Sequence, residues 1–560
     1  MLQSRTARSR WLAAIGLVGV SALALSACAQ SERGTDSTGS GKVGGTFTFG
    51  AAGAPKLFDP FYATDGETFR VARQMFEGLT TFKPGTAEPA PELAESWSPS
   101  SDGLTWTFKL KQNVKFHDGT AFDATAVCVN FDRWYNQKGA GTSDAVSQYY
   151  VDNFGGFSDG AKPSLYKSCS AKDANTAEIV LTTVTSKFPD ILGLPSFSMQ
   201  SPTALKQYDA DNVQAQGDSF VFPAYATDHP TGTGPFKFGA YDKANNTVEL
   251  VRNDDYYGTK AKLDKVVFRI IPDETARKQA LQSGDIDGYD FPAAADWDGL
   301  KKDGFNVAIR PAFNVMYFGI NQSGNPALKD LKVRQALAYA INRDQLVKSQ
   351  LPEGAKVADE FIPETVGGYT KDVTKYPYDL EKAKSLLAEA GASNLTLKFY
   401  WPSEVTRPYM PSPKDIYGAI AADLQKAGIT VEAVTKPWNG GYLTDVDQKV
   451  PDVFLLGWTG DTGSADNWIG TFFGNPENRF STGTSPWGAT LAADLKKADA
   501  TPDRDARLKA YEGINKQIMA EYLPAVPISH SPPALVLKSD IKGVVPSPLT
   551  DEKFGPASKG

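Results

Sequence analysis

Between residues 394 and 458 the chain runs "NLTLKFYW", "KDIYGAIAADLQKAG", "ITVEAVTK" and, past a further helical piece, "PDVFLLGW". No other stretch limits the fold as much. It reads strand, helix, strand, helix, strand, and that order predicts a mostly parallel sheet covered on both faces. In open α/β sheets ligands bind outside the carboxyl ends of the strands. Two charges fall there: Arg407 after the strand ending near Trp401, and Asp461 after the strand ending at Trp458. Asp461, inside "LLGWTGDTGSADNW", has three readings: a turn aspartate bonded to its own backbone, a catalytic or metal-binding carboxylate, or an anion for a cationic ligand.

The same alternating texture extends back to residue 262. "KVVFRII", "DIDGYDF" and "NVMYFGIN" read as strands. "DETARKQALQSG" reads as a helix with Asp273 as N-cap and a stop at Gly284. "DLKVRQALAYAINRDQLV" reads as one helix whose Leu331, Leu337, Ile341 and Leu346 recur at helical spacing. "DLEKAKSLLAEAG" starts at Asp379 and ends at Gly391. Residues 46 to about 125 are strands and turns, and "LTWTFKLKQNVKF" alternates Trp106, Phe108 and Leu110 with polar neighbours, as a strand with one buried face does. Ala244-Asn245-Asn246 marks a hairpin between two further strands. Residues 130 to 230 show no clear periodicity.

The N-terminus has Arg5, Arg8 and Arg10 ahead of an apolar run from Trp11 to Ala27, the pattern of an export signal. Leu25-Ser26-Ala27-Cys28 matches the bacterial lipobox, which makes Cys28 the lipidated mature N-terminus. The alternative is a plain signal peptide that happens to hold a cysteine. The Ser-, Gly- and Thr-rich stretch to Gly45 has too little apolar surface to fold and reads as a flexible tether. Loss of residues 1–27 moves the formal charge from −7 to −10. So acidic a chain is a poor nucleic-acid partner, because phosphate contacts need clustered Lys and Arg. Roughly 515 residues remain after the tether, too many for one ordinary core, so two or more lobes are expected. Once Cys28 is spent, Cys128 and Cys169 are left. In an exported protein they are most simply a disulfide closing a loop of about 40 residues, contributing on the order of 3 to 4 kcal/mol; two buried free thiols are the alternative.

Signals for catalysis fail one by one. "GFSDG" at 156–160 fits Gly-x-Ser-x-Gly but lacks a buried strand before it and a helix after it. "GTGPFK" and "GSGKV" fit neither a dinucleotide fingerprint nor a phosphate loop. His117, His229 and His530 are scattered, without zinc-ligand spacing. Asp461 and Asp466 lack the acidic ladder of a calcium loop. No catalytic residue, metal or cofactor is expected.

A series of stretches, in order from about 75 to 540, carries a resemblance: "FEGLTTFKPGTAEPAPELAESWSPSSDGLTWTFKLKQNVKFHDGTAFDA", "GTGPFKF", "RNDDYYGTK", "VVFRIIPDETARKQALQSGDID", "LKDLKVRQALAYAIN", "YDLEKAKSLLAEAG", "TRPYMP" and "LLGWTGDTGSADNW". The chain resembles the family 5 solute-binding proteins of bacterial ABC importers, the peptide and nickel group. The resemblance implies an α/β fold of two lobes joined by two crossovers, the type II binding-protein fold of the large cluster with an extra subdomain. Residues 46–305 and 520–560 would form a split first lobe with the subdomain at about 83–222, and residues 306–519 the second. In dipeptide binders of this family the aspartate of Gly-Trp-Thr-Gly-Asp receives the peptide ammonium and the arginine of Arg-Pro-Tyr its carboxylate; the matching positions are Asp461 and Arg407. Trp458 and Tyr409 are further candidates for ligand contact, Trp458 equally for the core. The family's Gly-Asp-Pro is replaced by Gly463-Ser464-Ala465, which bears on pocket shape and ligand length. The implied protein is a lipid-anchored, monomeric receptor outside the cytoplasmic membrane, handing short peptides to a permease. The competing readings are a receptor for a nickel complex, haem or oligosaccharide, and, more remotely, an exported hydrolase.

Overall fold

The computed structural model describes residues 43–217, 219–403 and 405–560, so the expected signal segment, Cys28 and most of the tether lie outside the described residues. Two large sheets organise the chain. The first has seven strands in the spatial order Phe236–Asp242, Thr247–Arg252, Lys265–Ile270, Thr46–Ala51, Gly288–Asp290, Ala534–Leu537 and Asn306–Ile309. Ala534–Leu537, from near the C-terminus, runs antiparallel between two strands more than 200 residues earlier. The second sheet has six strands, ordered Lys356–Val357, Ala525–His530, Asn314–Ile320, Val453–Thr459, Thr396–Pro402 and Thr430–Lys436.

Two crossovers join the lobes built on these sheets, one between Ile309 and Asn314, the other between His530 and Ala534. They lie side by side. The Arg310 amide donates to the Pro533 carbonyl at 2.9 Å, the Asn314 side-chain amide to the Ser531 carbonyl at 2.6 Å, and the Ser531 amide to Asn314 Oδ1 at 2.9 Å. Arg310 also anchors the first lobe, pairing with Asp290 at 2.5 Å and Glu552 at 2.7 Å among side chains that are all buried.

The second sheet corrects the expectation of a mostly parallel sheet. Thr396–Pro402 is parallel to both Thr430–Lys436 and Val453–Thr459, as the strand-helix-strand order requires. Asn314–Ile320, however, is antiparallel to Val453–Thr459 and to Ala525–His530. The reason is the crossovers: Asn314–Ile320 leaves the first lobe, so it must run against the strands that end at the edge facing that lobe. All seven of its residues are buried, which requires cover on both faces. Phe399, from the strand after next, meets Phe318 on one face, and Phe472 and Phe480 meet Tyr317 on the other.

The helix expected through Ile341 is broken. Leu331–Ala340 and Arg343–Gln350 are separate helices, and Ile341 between them is extended at φ −85°, ψ 117°. Asn342 causes the break: its side chain caps the second helix by accepting from the Gln345 amide, and its own amide is taken by Asp423. Short polar side chains offer the backbone this alternative to a continuing helix. Other local readings hold: Asp273 and Asp379 cap their helices, Gly284 adopts φ 90°, and Phe236–Asp242 pairs with Thr247–Arg252 as a hairpin.

Residues 94–181 hold a smaller four-stranded antiparallel sheet, with Trp106, Phe108 and Leu110 buried on one face of Thr105–Leu110 as their alternation requires. Cys128, on the helix Ala124–Tyr135, is bonded to Cys169 on the strand Tyr166–Asp173, with Cα atoms 5.2 Å apart. The bond ties the helix across the sheet. Buried Arg133 of that helix pairs with Asp59 at 2.7 Å, and the Met199 amide donates to the Glu77 carbonyl, so this unit is fastened to the first lobe.

Candidate functional site

Asp461 stands two residues beyond the strand Val453–Thr459. The chain turns at Gly460, where a Cβ would lie 2.5 Å from Trp468 and 2.7 Å from Phe313, so only glycine fits between the turn and the first crossover. The Asp461 amide donates to Asn467 Oδ1 at 2.8 Å, closing the loop on itself. Ser464 caps the short 3-10 turn Ala465–Asn467. The Asp461 carboxyl is pushed up to about 6, chiefly by burial and further by Asp152, while the Asn467 side chain opposes the rise. Among the described residues no Lys or Arg pairs with it.

Arg407 follows the strand Thr396–Pro402 and is held by a narrow bridge: its amide donates to the Met410 carbonyl at 3.1 Å, and the Met410 amide returns to its carbonyl at 2.9 Å. The guanidinium carbon lies 4.6 Å from the centroid of the Trp438 ring, a cation–π distance. Arg407 Nε is buried without a hydrogen-bond partner, and among the described residues no carboxylate pairs with this side chain. A guanidinium stacked on one face keeps its N–H edge for a planar acceptor such as a carboxylate.

The two charged loops leave the same edge of the second sheet. Phe399 and Val453 are register partners on adjacent parallel strands, and Arg407 and Asp461 each lie eight residues beyond that pair. Thr459 is the partner of Asn314, so this edge is the one from which the crossovers run. Tyr409 ties the loops together: only 5% exposed, its ring lies over Gly457, where a Cβ would come within 2.5 Å of it. Trp458, the next residue, faces the opposite side of the sheet. It is half-buried, meets Phe472 edge-on at 6.3 Å, and has its indole N–H buried without a protein partner. The ring packs against the core of the second sheet, and its N–H has no partner among the described residues.

From the first-lobe side, Tyr149 and Asp152 of the helix Gln148–Phe154 come into the field of Asp461; Tyr149 is pushed well above its ordinary range by burial, then by Asp461 and Asp152. Sequence reasoning missed these residues, together with Trp438 and Asn467. Asn467 alone had a local signal, lying in the glycine loop with Asp461; the others reach the site only through folding. The histidines stay apart. His530 is buried and His117 half-buried, each with one ring nitrogen against a backbone carbonyl, and desolvation pushes both down to about 4. No cluster able to hold a metal ion occurs among the described residues.

Two lobes joined by paired crossovers, with opposite charges that have no ionic partner among the described residues on one edge facing the junction, form the architecture of a protein that holds a ligand between its lobes. The comparisons agree: the model of bacterial extracellular solute-binding proteins, family 5, matches residues 88–480. The chain belongs to this family. It is 33% identical to the dipeptide-binding protein of Escherichia coli (strain K12) over 91% of this chain and 94% of that one. It is 31% identical to heme-binding protein A of Haemophilus influenzae, covering 95% and 96%. The solved structure of HbpA2 from Haemophilus parasuis superposes with a TM-score of 0.81 at 28% identity, covering 92% and 100%. Such relatives are substrate-binding proteins of ABC transporters and not enzymes. Among the described residues no helix is long and apolar enough to cross a membrane.

Proposed function

We propose that the protein captures short peptides, dipeptides foremost, by their charged ends and delivers them to the permease of an ABC importer. Asp461 receives the ammonium and Arg407 the carboxylate. One observation carries the reading: two half-buried, opposite charges without ionic partners among the described residues stand on loops from adjacent parallel strands. A desolvated charge is costly unless paired, and a zwitterionic ligand supplies both missing partners. The unsatisfied Trp458 N–H is a further donor for such a ligand, whereas Tyr409 acts by supporting Gly457. The reading includes the lobe limits set out above, a monomer, and a lipid on Cys28 holding the chain to the outer face of the cytoplasmic membrane. Cys28→Ser should release the protein from the membrane fraction.

The similarity to a heme-binding relative keeps a second solute in view. Calorimetric titration with free, N-acetylated and C-amidated dipeptides separates the two. Terminus recognition requires that either block weaken binding about 30-fold or more. Equal affinity for free and blocked peptides, or haem bound in their place, would remove it.

A further inference from the structure

The loop that carries Asp461 is also held from the opposite side. Lys187 follows the smaller sheet and begins the short helix Phe188–Ile191, whose Phe188 and Ile191 are buried in the core around that sheet. Its Nζ lies 2.6 Å from Oδ2 of Asp466, in the turn Ala465–Asn467, whose neighbours Ala465, Trp468 and Ile469 belong to the core of the second sheet. Beside it, the hydroxyls of Thr185 and Ser186 donate to the Asp499 carboxylate at 3.1 and 3.2 Å. Gly463 approaches so closely that a Cβ would stand 2.2 Å from the Ala87 carbonyl oxygen.

The seam around these contacts is not filled by side chains. A cavity of about 830 Å³ opens along it, lined on one side by Trp97, Trp106 and Thr185 and on the other by Ser464, Leu508 and Tyr511. Polar contacts rather than continuous apolar packing therefore join the two units here. By contrast, the smaller sheet is fastened to the first lobe by the fully buried Arg133–Asp59 pair. Burial disfavours the Lys187 ammonium, yet Asp466 and Asp499 outweigh it and hold the amine above its ordinary range. Asp466 connects to the ligand site through one rigid turn, since the Asn467 beside it accepts the Asp461 amide.

We propose that Lys187 and Asp466 form an interlobe latch, a closing contact made by the protein itself, which holds the smaller sheet against the turn that carries Asp461. Lys187 is thus a positioning residue: it touches no ligand but raises the fraction of molecules closed and ready to retain one. A ligand's apparent dissociation constant scales inversely with that fraction, so loss of the latch weakens every ligand of the cleft alike, whatever its termini. The location of the cleft rests on the reading of Asp461 given above.

The test compares the full chain, solubilised, with Lys187→Met, Asp466→Asn, the double variant and Lys187→Arg. Without ligand, backbone amide exchange around residues 184–188 and 462–467 should rise at least fivefold in each single variant, no further in the double, and return toward wild type in Lys187→Arg. With alanyl-leucine and its N-acetyl form as probes, Lys187→Met should weaken both by the same factor, about 5- to 50-fold. Unchanged exchange, additive effects of the two substitutions, or a loss confined to one probe would overturn the latch. If Lys187→Met fails to fold, Asp466→Asn, which keeps the shape of the turn, decides by the same readouts. If wild type binds neither probe, the peptide reading fails, and the ligand-free exchange still judges the latch.

Discussion

Arg407 is stacked on Trp438, its guanidinium carbon 4.6 Å from the ring centroid, and the strand carrying it lies beside the one that leads to Asp461. The ring fixes the plane of the cation and shields one of its faces. Arg407→Gln should lose about 2 to 5 kcal/mol of affinity for a free dipeptide and little for its C-terminal amide. Trp438→Leu should lose less, about 0.5 to 2 kcal/mol, and only for the free carboxylate. Calorimetry with both ligands checks the pair.

Asp461 predicts a pH dependence. Its carboxyl ionises near 6 in the folded protein against an ordinary value of 3.8, burial being the main cause. An ammonium pairs only with the ionised form, so affinity should be greatest near pH 7, fall roughly tenfold per unit well below pH 6, and fall again above about pH 8 as the peptide's own α-amino group loses its proton. For stability the sign is opposite. Between 3.8 and about 6 the folded chain holds the extra proton, so this group's contribution falls as pH rises through that window. His117 and His530, both pushed down to about 4, work the other way and gain stability as pH rises toward their unfolded value. The difference in melting temperature between wild type and Asp461→Asn, from pH 3.5 to 7.5, isolates the aspartate.

Gly457 ties the site to the core. A Cβ there would lie 2.5 Å from the Tyr409 ring and 2.5 Å from the Val315 carbonyl oxygen, so neither neighbour leaves room for it. Gly457→Ala should cost about 1 to 3 kcal/mol of stability in denaturant titration. It should also weaken peptide binding, because the displaced Tyr409 shares the Arg407–Met410 bridge.

The Cys128–Cys169 bond joins a helix to a strand across a sequence separation of 41. Its removal by Cys128→Ser with Cys169→Ser should cost about 2 to 5 kcal/mol, read from chemical unfolding. Oxidised protein should show neither thiol to alkylating reagents under denaturing, non-reducing conditions.

Elements with local signals are legible along the chain. The N-caps at Asp273 and Asp379, the hairpin at Ala244–Asn246, the alternation of Trp106, Phe108 and Leu110, and the strand-helix-strand order that puts Arg407 and Asp461 past strand ends all depend on residues a few positions apart. Features that depend on distant partners emerge only in the fold. Ile341 leaves the helix because Asp423 takes the amide of Asn342. Asn314–Ile320 runs antiparallel because the chain enters from the other lobe, and Trp438 and Lys187 acquire their roles from Arg407 and Asp466, 31 and 279 residues away. Charge, cap and periodicity are written along the chain, but burial is not, and it is burial beside Asn467 and facing Tyr149 that turns Asp461 from a loop aspartate into a carboxylate pushed up to about 6, with no cationic partner among the described residues.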